Sequence, residues 1–363
     1  MSNEPKFWCG IDVAKKSFDA SLVIDQNRKD LASIPVAHFD HTPAGVADFL
    51  AWVKKQVRKR KLRKNQAHFV LEATGRYSLT FYVELCKQLK EPLISIVNPG
   101  YTSHHQQGLK IRSKTDSLDA KALGLYAREC KPEPYIPLSP EQRLMQRLVR
   151  QRNYLVAQRV AHENRLKEEE KNTPVYRIEM HMIEEIKKAI EACLAEIKKV
   201  LNQDHQMGRD AKLLQTIPGV GMLTAATVLA ELGDLRRFER AAQLSSFTGL
   251  APLIRESGTS VKRRTRISKA GNNQIRKGLY MAALHWTHKP EEGLGIFYKK
   301  LVDSGKAKMS ALLAVERKLL VMMRAILISE RPYDAKGYME GFKKKAVENV
   351  SKKISRLRLE PKF

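Results

Sequence analysis

The sequence predicts an α/β domain at the N-terminus, then a helical middle, then a mainly helical C-terminal part. Short apolar runs alternate with helix-like stretches up to about residue 135, which is typical of a sheet covered by helices. A charged stretch with coiled-coil spacing follows, and the third part contains a Gly-rich turn between two helical patterns. The 363 residues suffice for two or three domains, which we place at 1–135, 136–208 and 209–335, followed by a basic tail over 336–363.

Two paired strands open the first domain. Residues 7–11 are apolar, and residues 17–25 alternate between apolar and polar side chains, as expected for a half-buried strand. The segment DVAKKS between them predicts a hairpin turn, so the two strands are expected to be antiparallel neighbours. The rest of the domain completes a mixed sheet with covering helices, in the predicted order helix 42–60, strand 68–72, helix 77–89, strand 93–97, a break at Asn98-Pro99-Gly100, and helix 116–130.

A long helical hairpin is predicted for the middle part. Pro174 separates an earlier helix from a later one whose apolar residues follow the 3-4-3-4-3 spacing of a coiled-coil seam. The seam consists of Ile183, Ile186, Ile190, Cys193, Ile197 and Val200. This pattern is equally compatible with a two-helix spacer within one chain and with a coiled coil that dimerises.

The charge of the chain predicts a polyanionic partner. Lys and Arg number 66 against 39 Asp and Glu, which gives a formal net charge of +27. The sequence pI of about 9.9 is in the range of nucleic-acid-binding proteins. An anionic membrane surface is the other partner that such a charge suits. Because no apolar run approaches the roughly 20 residues of a membrane helix, and no signal peptide is evident, we expect a cytoplasmic protein that does not bind membranes.

Four carboxylates predict a metal site. Asp12 and Glu72 each end a short apolar run, and Asp116 and Asp119 lie three residues apart in a helical stretch. Taken singly, each acid is more often a helix cap or a solvated charge. Buried strands rarely end in unpaired acids, so the four together favour a Mg²⁺ site for phosphodiester chemistry. The neighbouring Lys114 is a candidate phosphate contact.

A Gly-rich turn in the third part predicts contact with a DNA backbone. Gly219 and Gly221 lie in IPGVG between two helical patterns, as in a helix-hairpin-helix motif, where backbone N–H groups approach a phosphate. The alternative is a tight turn used only for helix packing. The basic segment that follows, residues 255–280, favours the phosphate contact.

That basic segment also contains a candidate nucleophile. Ser257 precedes a run of guanidinium and ammonium groups that can clamp a phosphate, although Ser260 and Ser268 compete with it. The alternative is a loop that only grips backbone phosphates. The candidate nucleic-acid contacts here are Arg255, Lys262, Arg263, Arg264, Arg266 and Lys269.

The chain as a whole resembles the DEDD transposases of the insertion sequence one-ten group, whose better-studied members are bridge-RNA-guided recombinases. The resemblance runs in order from residue 7 to about 335. It rests on the motifs GIDVAKKSFD, LEATGRY, VNPG, KTDSLDAKAL, IPGVGMLTAATVLAELGDLRRF, FTGLAP, ESGTSVKRRTRISKAGN and the final Pro332-Tyr333-Asp334.

This resemblance implies a function that spacing cannot show. It implies a RuvC-like RNase H fold for the first domain, with Asp12, Glu72, Asp116 and Asp119 as the metal-binding tetrad. It implies a transposase domain in which Ser257 joins covalently to DNA. It further implies donor and target DNA and a noncoding bridge RNA as partners, and a homo-oligomer, from dimer to tetramer, with active sites shared between subunits. The coiled-coil seam fits such an assembly, so the resemblance favours oligomerisation over a plain spacer. Such a protein would act in the prokaryotic cytoplasm, at the nucleoid during recombination.

Three hypotheses remain at this point. The first is an RNA-guided recombinase that uses Mg²⁺ and Ser257. The second is a RuvC-like nuclease that hydrolyses DNA without a covalent intermediate. The third is a nucleic-acid-binding protein without catalysis, against which the presence of all four acids argues.

Overall fold

The apolar run that begins at Phe7 forms the central strand of a five-stranded sheet in the computed structural model of the protein. The structure describes residues 5–24, 31–58, 66–109, 115–253, 256–257, 261–262, 266–268 and 271–337. The chain divides into two compact units, Met1–Pro137 and Leu138–Phe363. The finer division into three domains and a tail stays a prediction. None of the described helices is both long and apolar enough to cross a lipid bilayer.

The predicted mixed sheet is confirmed. Its strand order is β3-β2-β1-β4-β5, with β1 antiparallel to β2 and parallel to β4. The edge strand β3 was not predicted, because it is half-exposed and lacks an apolar run. The strands are β1 Phe7–Val13, β2 Ser17–Val23, β3 Val36–Asp40, β4 Ala67–Glu72 and β5 Leu93–Val97.

Helices cover both faces of this sheet. The first two helices pack on the face that carries Ile11, and the fourth packs on the face that carries Trp8. The third helix begins at the predicted break, where the Asn98 side chain accepts a hydrogen bond from the N–H of Gly100 at 2.8 Å. Such a cap explains why Asn-Pro-Gly starts a helix here. The helices are α1 Pro43–Arg58, α2 Arg76–Gln88, α3 Pro99–Gly108 and α4 Asp116–Cys130.

Helix α4 lies in direct backbone contact with β1. A Cβ atom added at Gly10 would lie 2.1 Å from the backbone N of Gly124 and 2.2 Å from the carbonyl O of Ala120. The hydroxyl of Ser21 on β2 donates to that same carbonyl at 2.7 Å. Since backbone atoms cannot move aside as a side-chain end can, glycine at position 10 is required for this contact.

The second unit is predominantly helical, as predicted. Its core is formed by residues of helices α5 to α12. The helices are α5 Pro140–Glu168, α6 Pro174–Gln203, α7 His205–Gln215, α8 Met222–Leu232, α9 Ala241–Phe247, α10 Asn273–Thr287, α11 Gly293–Asp303 and α12 Lys308–Ser329. Four two-residue strands follow α9, namely β6 Pro252–Leu253, β7 Glu256–Ser257, β8 Val261–Lys262 and β9 Arg266–Ile267.

Helices α5 and α6 form a long antiparallel hairpin within the chain. Near its tip, His162 Nδ1 lies 2.6 Å from a carboxylate oxygen of Glu179. The predicted seam is buried along α6, except that Cys193 is partly exposed, and α5 is the helix packed along it. The seam is therefore covered inside one chain, as in the spacer alternative, and oligomerisation through it stays a prediction.

A buried carboxylate joins three helices of the second unit. The side chain of Glu231 on α8 is fully buried and accepts two hydrogen bonds of 2.7 Å from Arg150 on α5. It also accepts a 2.6 Å bond from the amide of Asn272, which caps α10. These charge-assisted bonds offset the cost of burying the charge.

Replacing Gly10 with alanine should destabilise the first unit by about 1–3 kcal/mol, because the new Cβ overlaps the backbone of α4. The measurement is hydrogen exchange at the amides of β1 and β4, which reports the local free energy of opening. Gly108→Ala is the matched control, since a Cβ there meets nothing within 4 Å. Equal protection in the two variants would contradict the close contact.

The variant Glu231→Gln should destabilise the second unit by about 1.5–3 kcal/mol, because it loses charge-assisted hydrogen bonds in a buried place. Exchange at the amides of α8 and at the start of α10 measures the effect. Glu239→Gln, at an exposed position of the same unit, should stay within about 0.5 kcal/mol of the wild type. A Glu231 variant as stable as this control would show that the network is dispensable.

Candidate active site

Strand register places three acids on the sheet face that α4 covers. Side chains alternate along a strand, and in β1 Trp8 faces α4 whereas Ile11 faces the opposite core. Asp12 therefore lies on the α4 side, and the register places Asp19 of β2 directly opposite it. Glu72, at the end of the parallel strand β4, lies on the same face. All three carboxylates are half-buried.

The first turn of α4 supplies two more acids at this edge. Thr115 caps the helix by accepting a hydrogen bond from the N–H of Leu118 at 3.3 Å. Asp116 and Asp119 follow within the first turn, where the positive end of the helix dipole stabilises carboxylates. The close contact at Gly10 packs α4 directly against β1 and places this turn at the edge of the sheet where β1 ends.

Polar residues that the sequence analysis missed hold three of these acids. From α3, Thr102 donates to Glu72 at 3.3 Å and Gln106 donates to Asp119 at 2.9 Å. His38 on the unpredicted strand β3 lies 2.5 Å from Asp19. The spacing of four between Thr102 and Gln106 was a usable signal only if a helix had been predicted after Asn98.

Burial and mutual repulsion act together on Asp12. Burial raises the pKa of Asp12 to about 6, with further contributions from the negative charges of Asp116, Asp119, Glu72 and Asp19. A carboxyl group is protonated more readily when burial and nearby negative charges disfavour its ionised form. Glu72, Asp116, Asp119 and Asp19 therefore all lie close enough to Asp12 to act on its charge.

The donor set at this edge fits a hard divalent cation. Every candidate ligand is a carboxylate oxygen, and a bound cation would offset the repulsion among these negative charges. Among the residues that the structure describes, no three His, Cys, Asp or Glu side chains stand at coordination spacing. The acids therefore lie close enough to influence one another's charge, but they do not form a closed coordination shell.

The candidate nucleophile lies on a hairpin in the second unit. Ser257 in β7 is opposite Val261 in β8, in an antiparallel pair of strands. Lys262 is opposite Glu256, and Arg266 of β9 is opposite Leu253. The remaining predicted contacts, Lys114, Arg255, Arg263, Arg264 and Lys269, lie outside the described residues.

The Gly-rich turn joins α7 to α8, and its two glycines differ in their surroundings. Gly219 has a φ of 84°, and a Cβ there would lie 2.8 Å from the Cβ of His285 on α10. Gly219 therefore packs against a helix, as the alternative interpretation expected. Gly221 caps α8 with open space around it, so a phosphate contact there stays a prediction.

Comparison with known proteins places both units in one group. A family model for DEDD transposases of the IS110 type, described as Transposase, matches residues 9–169. A second model, described as Transposase IS116/IS110/IS902 family, matches residues 211–297. The two matches follow one another along the chain and together span more than half of it.

Individual relatives agree with these matches. The "Pilin gene-inverting protein" of Moraxella bovis is 28% identical over 331 residues, which cover 91% of this chain and 98% of the relative. The "Transposase for insertion sequence element IS1111A" of Coxiella burnetii is 30% identical over 151 residues, 37% of this chain and 41% of the relative. With both family models matched in order and the Moraxella relative aligned along nearly its full length, the chain belongs to the DEDD transposases of the IS110 family.

Proposed function

We propose that this transposase cuts, exchanges and rejoins DNA strands through a covalent link between Ser257 and DNA, assisted by Mg²⁺. The observation that carries the metal-dependent part is the set of acids on the α4 face of the sheet, which together with burial raises the pKa of Asp12 to about 6. Asp12, Glu72, Asp116 and Asp119 are the proposed ligands, and Asp19 adds negative charge beside them. The formal charge of +27 suits a DNA substrate.

The name of the Moraxella relative supports strand exchange over simple cutting. That protein is named for inverting a pilin gene, and inversion of a DNA segment requires broken strands to be rejoined. A phosphoserine link keeps the energy of the broken phosphodiester bond available for rejoining, whereas hydrolysis loses it to water. The name of this relative therefore favours a nucleophile from the protein.

The proposed reaction is a pair of transesterifications. The Oγ of Ser257 attacks the phosphorus and gives up its proton, the bond to the leaving DNA oxygen breaks, and that oxygen takes up a proton as a hydroxyl group. Attack by the hydroxyl of the incoming strand reverses these events and frees the serine. A bound Mg²⁺ would stabilise charge on the phosphoryl and leaving oxygens.

The proposed partners follow from the family resemblance and from charge. Donor and target DNA are the substrates, and pairing with a noncoding bridge RNA selects their sequences. Lys114, Gly219, Gly221, Arg255, Lys262, Arg263, Arg264, Arg266 and Lys269 are the proposed contacts to nucleic-acid backbones. A homo-oligomer of two to four subunits would supply the acids and the serine for two strands.

A hydrolytic nuclease is the second candidate. The acid set is a sufficient ligand set for metal-assisted hydrolysis by itself, and Ser257 lies in the other compact unit. In that reaction Ser257 would only contact a phosphate. The two candidates differ in whether DNA becomes bonded to the protein.

The variant Ser257→Ala should lose both strand exchange and the covalent protein–DNA adduct, because the substitution removes the attacking Oγ. The protein would be expressed with its native flanking DNA and purified under denaturing conditions, and any linked peptide would be mapped. Ser268→Ala, on the same segment, should keep the adduct. DNA cutting that persists in Ser257→Ala and requires Asp12 would establish the nuclease instead.

The variant Asp12→Asn should raise the Tm of the metal-free N-terminal unit at pH 7–8 and change it little near pH 4. The pKa of Asp12 is raised in the folded state, so the wild type loses stability as pH rises from about 4 to about 6, and the deficit persists above that range. Asparagine carries no charge and avoids this loss.

Calorimetry with and without Mg²⁺ measures both parts of this prediction. Mg²⁺ should raise the Tm of the wild type at pH 7–8 and raise that of Asp12→Asn much less, because a ligand is lost. Asp48→Asn, at an exposed position of α1, is the control and should respond to Mg²⁺ as the wild type does. The same Mg²⁺ response in all three proteins would reject Asp12 as a ligand.

A further inference from the structure

The segment that bears Ser257 leaves the helical body and returns to it at one place. It starts after Thr248, at the end of α9, and returns at Gly271, just before α10. We call these two ends, with the residues next to them, the neck. Above the neck, the N–H of Ser268 donates to the carbonyl of Ala251 at 3.0 Å, and β6 pairs with β9.

The two ends of the segment are in close backbone contact at the neck. Gly271 has a φ of 157°, and a Cβ there would lie 2.4 Å from the carbonyl O of Phe247 and 2.6 Å from the backbone N of Gly249. Only glycine permits this approach. The hydroxyl of Thr248 is fully buried and donates back to the carbonyl of Leu244 in α9, which fixes the outgoing end.

One guanidinium group joins the two ends. A single nitrogen of Arg276 in α10 donates to the carbonyl of Thr248 at 2.9 Å and to the carbonyl of Gly271 at 3.2 Å. The planar guanidinium offers donors in a fixed geometry, so it holds two carbonyl groups in one arrangement. A lysine ammonium would reach the same place without that fixed geometry.

A buried carboxyl group in α12 interacts electrostatically with Arg276. Glu316 is 1% exposed, and its Oε2 has no hydrogen-bond partner among the described residues. Burial raises the pKa of Glu316 to about 7, and the positive charge of Arg276 opposes that rise. The next residue, Arg317, donates instead to the hydroxyl of Ser245 at 3.3 Å.

The length of the segment makes small changes at the neck important. Seven residue-to-residue steps lead from Leu250 to Ser257, which at about 3.3 Å per step span at most ~23 Å. A tilt of about 5° at the neck would therefore move the serine by up to about 2 Å, and a misplacement of about 1 Å can cost on the order of 100-fold in rate. The paired strands above the neck have only two residues each, too few to fix the segment by themselves.

We propose that Arg276 is a positioning residue for Ser257, which fixes the direction of the serine-bearing segment by joining its two ends. This inference rests on the proposed role of Ser257 as nucleophile. Arg276 acts on the neck through its two carbonyl contacts, and it takes no part in the bond-breaking step.

The test compares Arg276→Lys with Arg324→Lys. Arg324 is a matched control, because it also donates to two backbone carbonyls of the second unit, those of Phe238 and Glu239, at 2.7 and 2.9 Å. In Arg276→Lys, the rate of adduct formation at saturating DNA should fall at least about 10-fold, with the Kd for DNA within about twofold of the wild type. Arg324→Lys should change neither quantity.

Hydrogen exchange separates positioning from general stability. In Arg276→Lys the amides of Ser268 and Asn272 should exchange faster, while protection in α8 and α12 stays as in the wild type. Glu316→Gln, which keeps the shape and removes the charge, should cause a smaller loss of the same kind. This second variant serves if Arg276→Lys does not fold.

Each contrary outcome has a distinct meaning. Adduct formation at the wild-type rate in both Arg276→Lys and Glu316→Gln would overturn the positioning role. So would a loss of hydrogen-exchange protection that is spread evenly over the whole second unit. If the wild type itself forms no adduct at Ser257, the proposed nucleophile fails, and the positioning role fails with it. An adduct in the wild type together with unaltered variants would reject the positioning role alone.

Discussion

The backbone contact between α4 and β1 decides where the carboxylates of the first unit lie. At Gly10 the strand and the helix are closer than a Cβ atom there would permit, and the hydroxyl of Ser21 ties the helix to β2. Because α4 begins at Asp116, this contact also brings its first turn to the edge of the sheet where Asp12 lies. A shift of the helix would therefore move two candidate ligands relative to the other two.

The same contact has an electrostatic cost. Carboxylates gathered on one half-buried face repel one another, and the raised pKa of Asp12 is the measure of that repulsion together with burial. The N-terminus of α4 and the hydrogen bonds from Thr102 and Gln106 offset part of it. Sites that are unfavourable in the absence of their ligand are expected where function rather than stability has shaped the sequence.

The sequence sufficed for features that depend on local periodicity. Apolar runs predicted β1 and β4, their last residues predicted Asp12 and Glu72 as neighbours, and helical spacing predicted the first turn of α4. Strand β3 and helix α3 were missed, because neither carries a strong apolar pattern. The hydrogen-bond donors to Glu72 and Asp119, which lie on α3, were therefore missed as well. The contact of Arg276 with Thr248 joins residues 28 apart, and no local pattern encodes it.

The two units differ in how they hold their candidate functional groups, and the difference suits the proposed reaction. The acids lie on strands of a sheet packed by helices on both faces and in the first turn of α4, one of those helices, so ligand positions change little. The serine lies on a hairpin whose ends meet at one neck. In strand exchange, a nucleophile bonded to DNA must keep that bond while the partner strand changes. The segment that carries it therefore needs a fixed direction but only a small area of contact with the rest of the protein. The guanidinium of Arg276, which holds the carbonyls of Thr248 and Gly271, provides such a support without adding bulk to the segment itself.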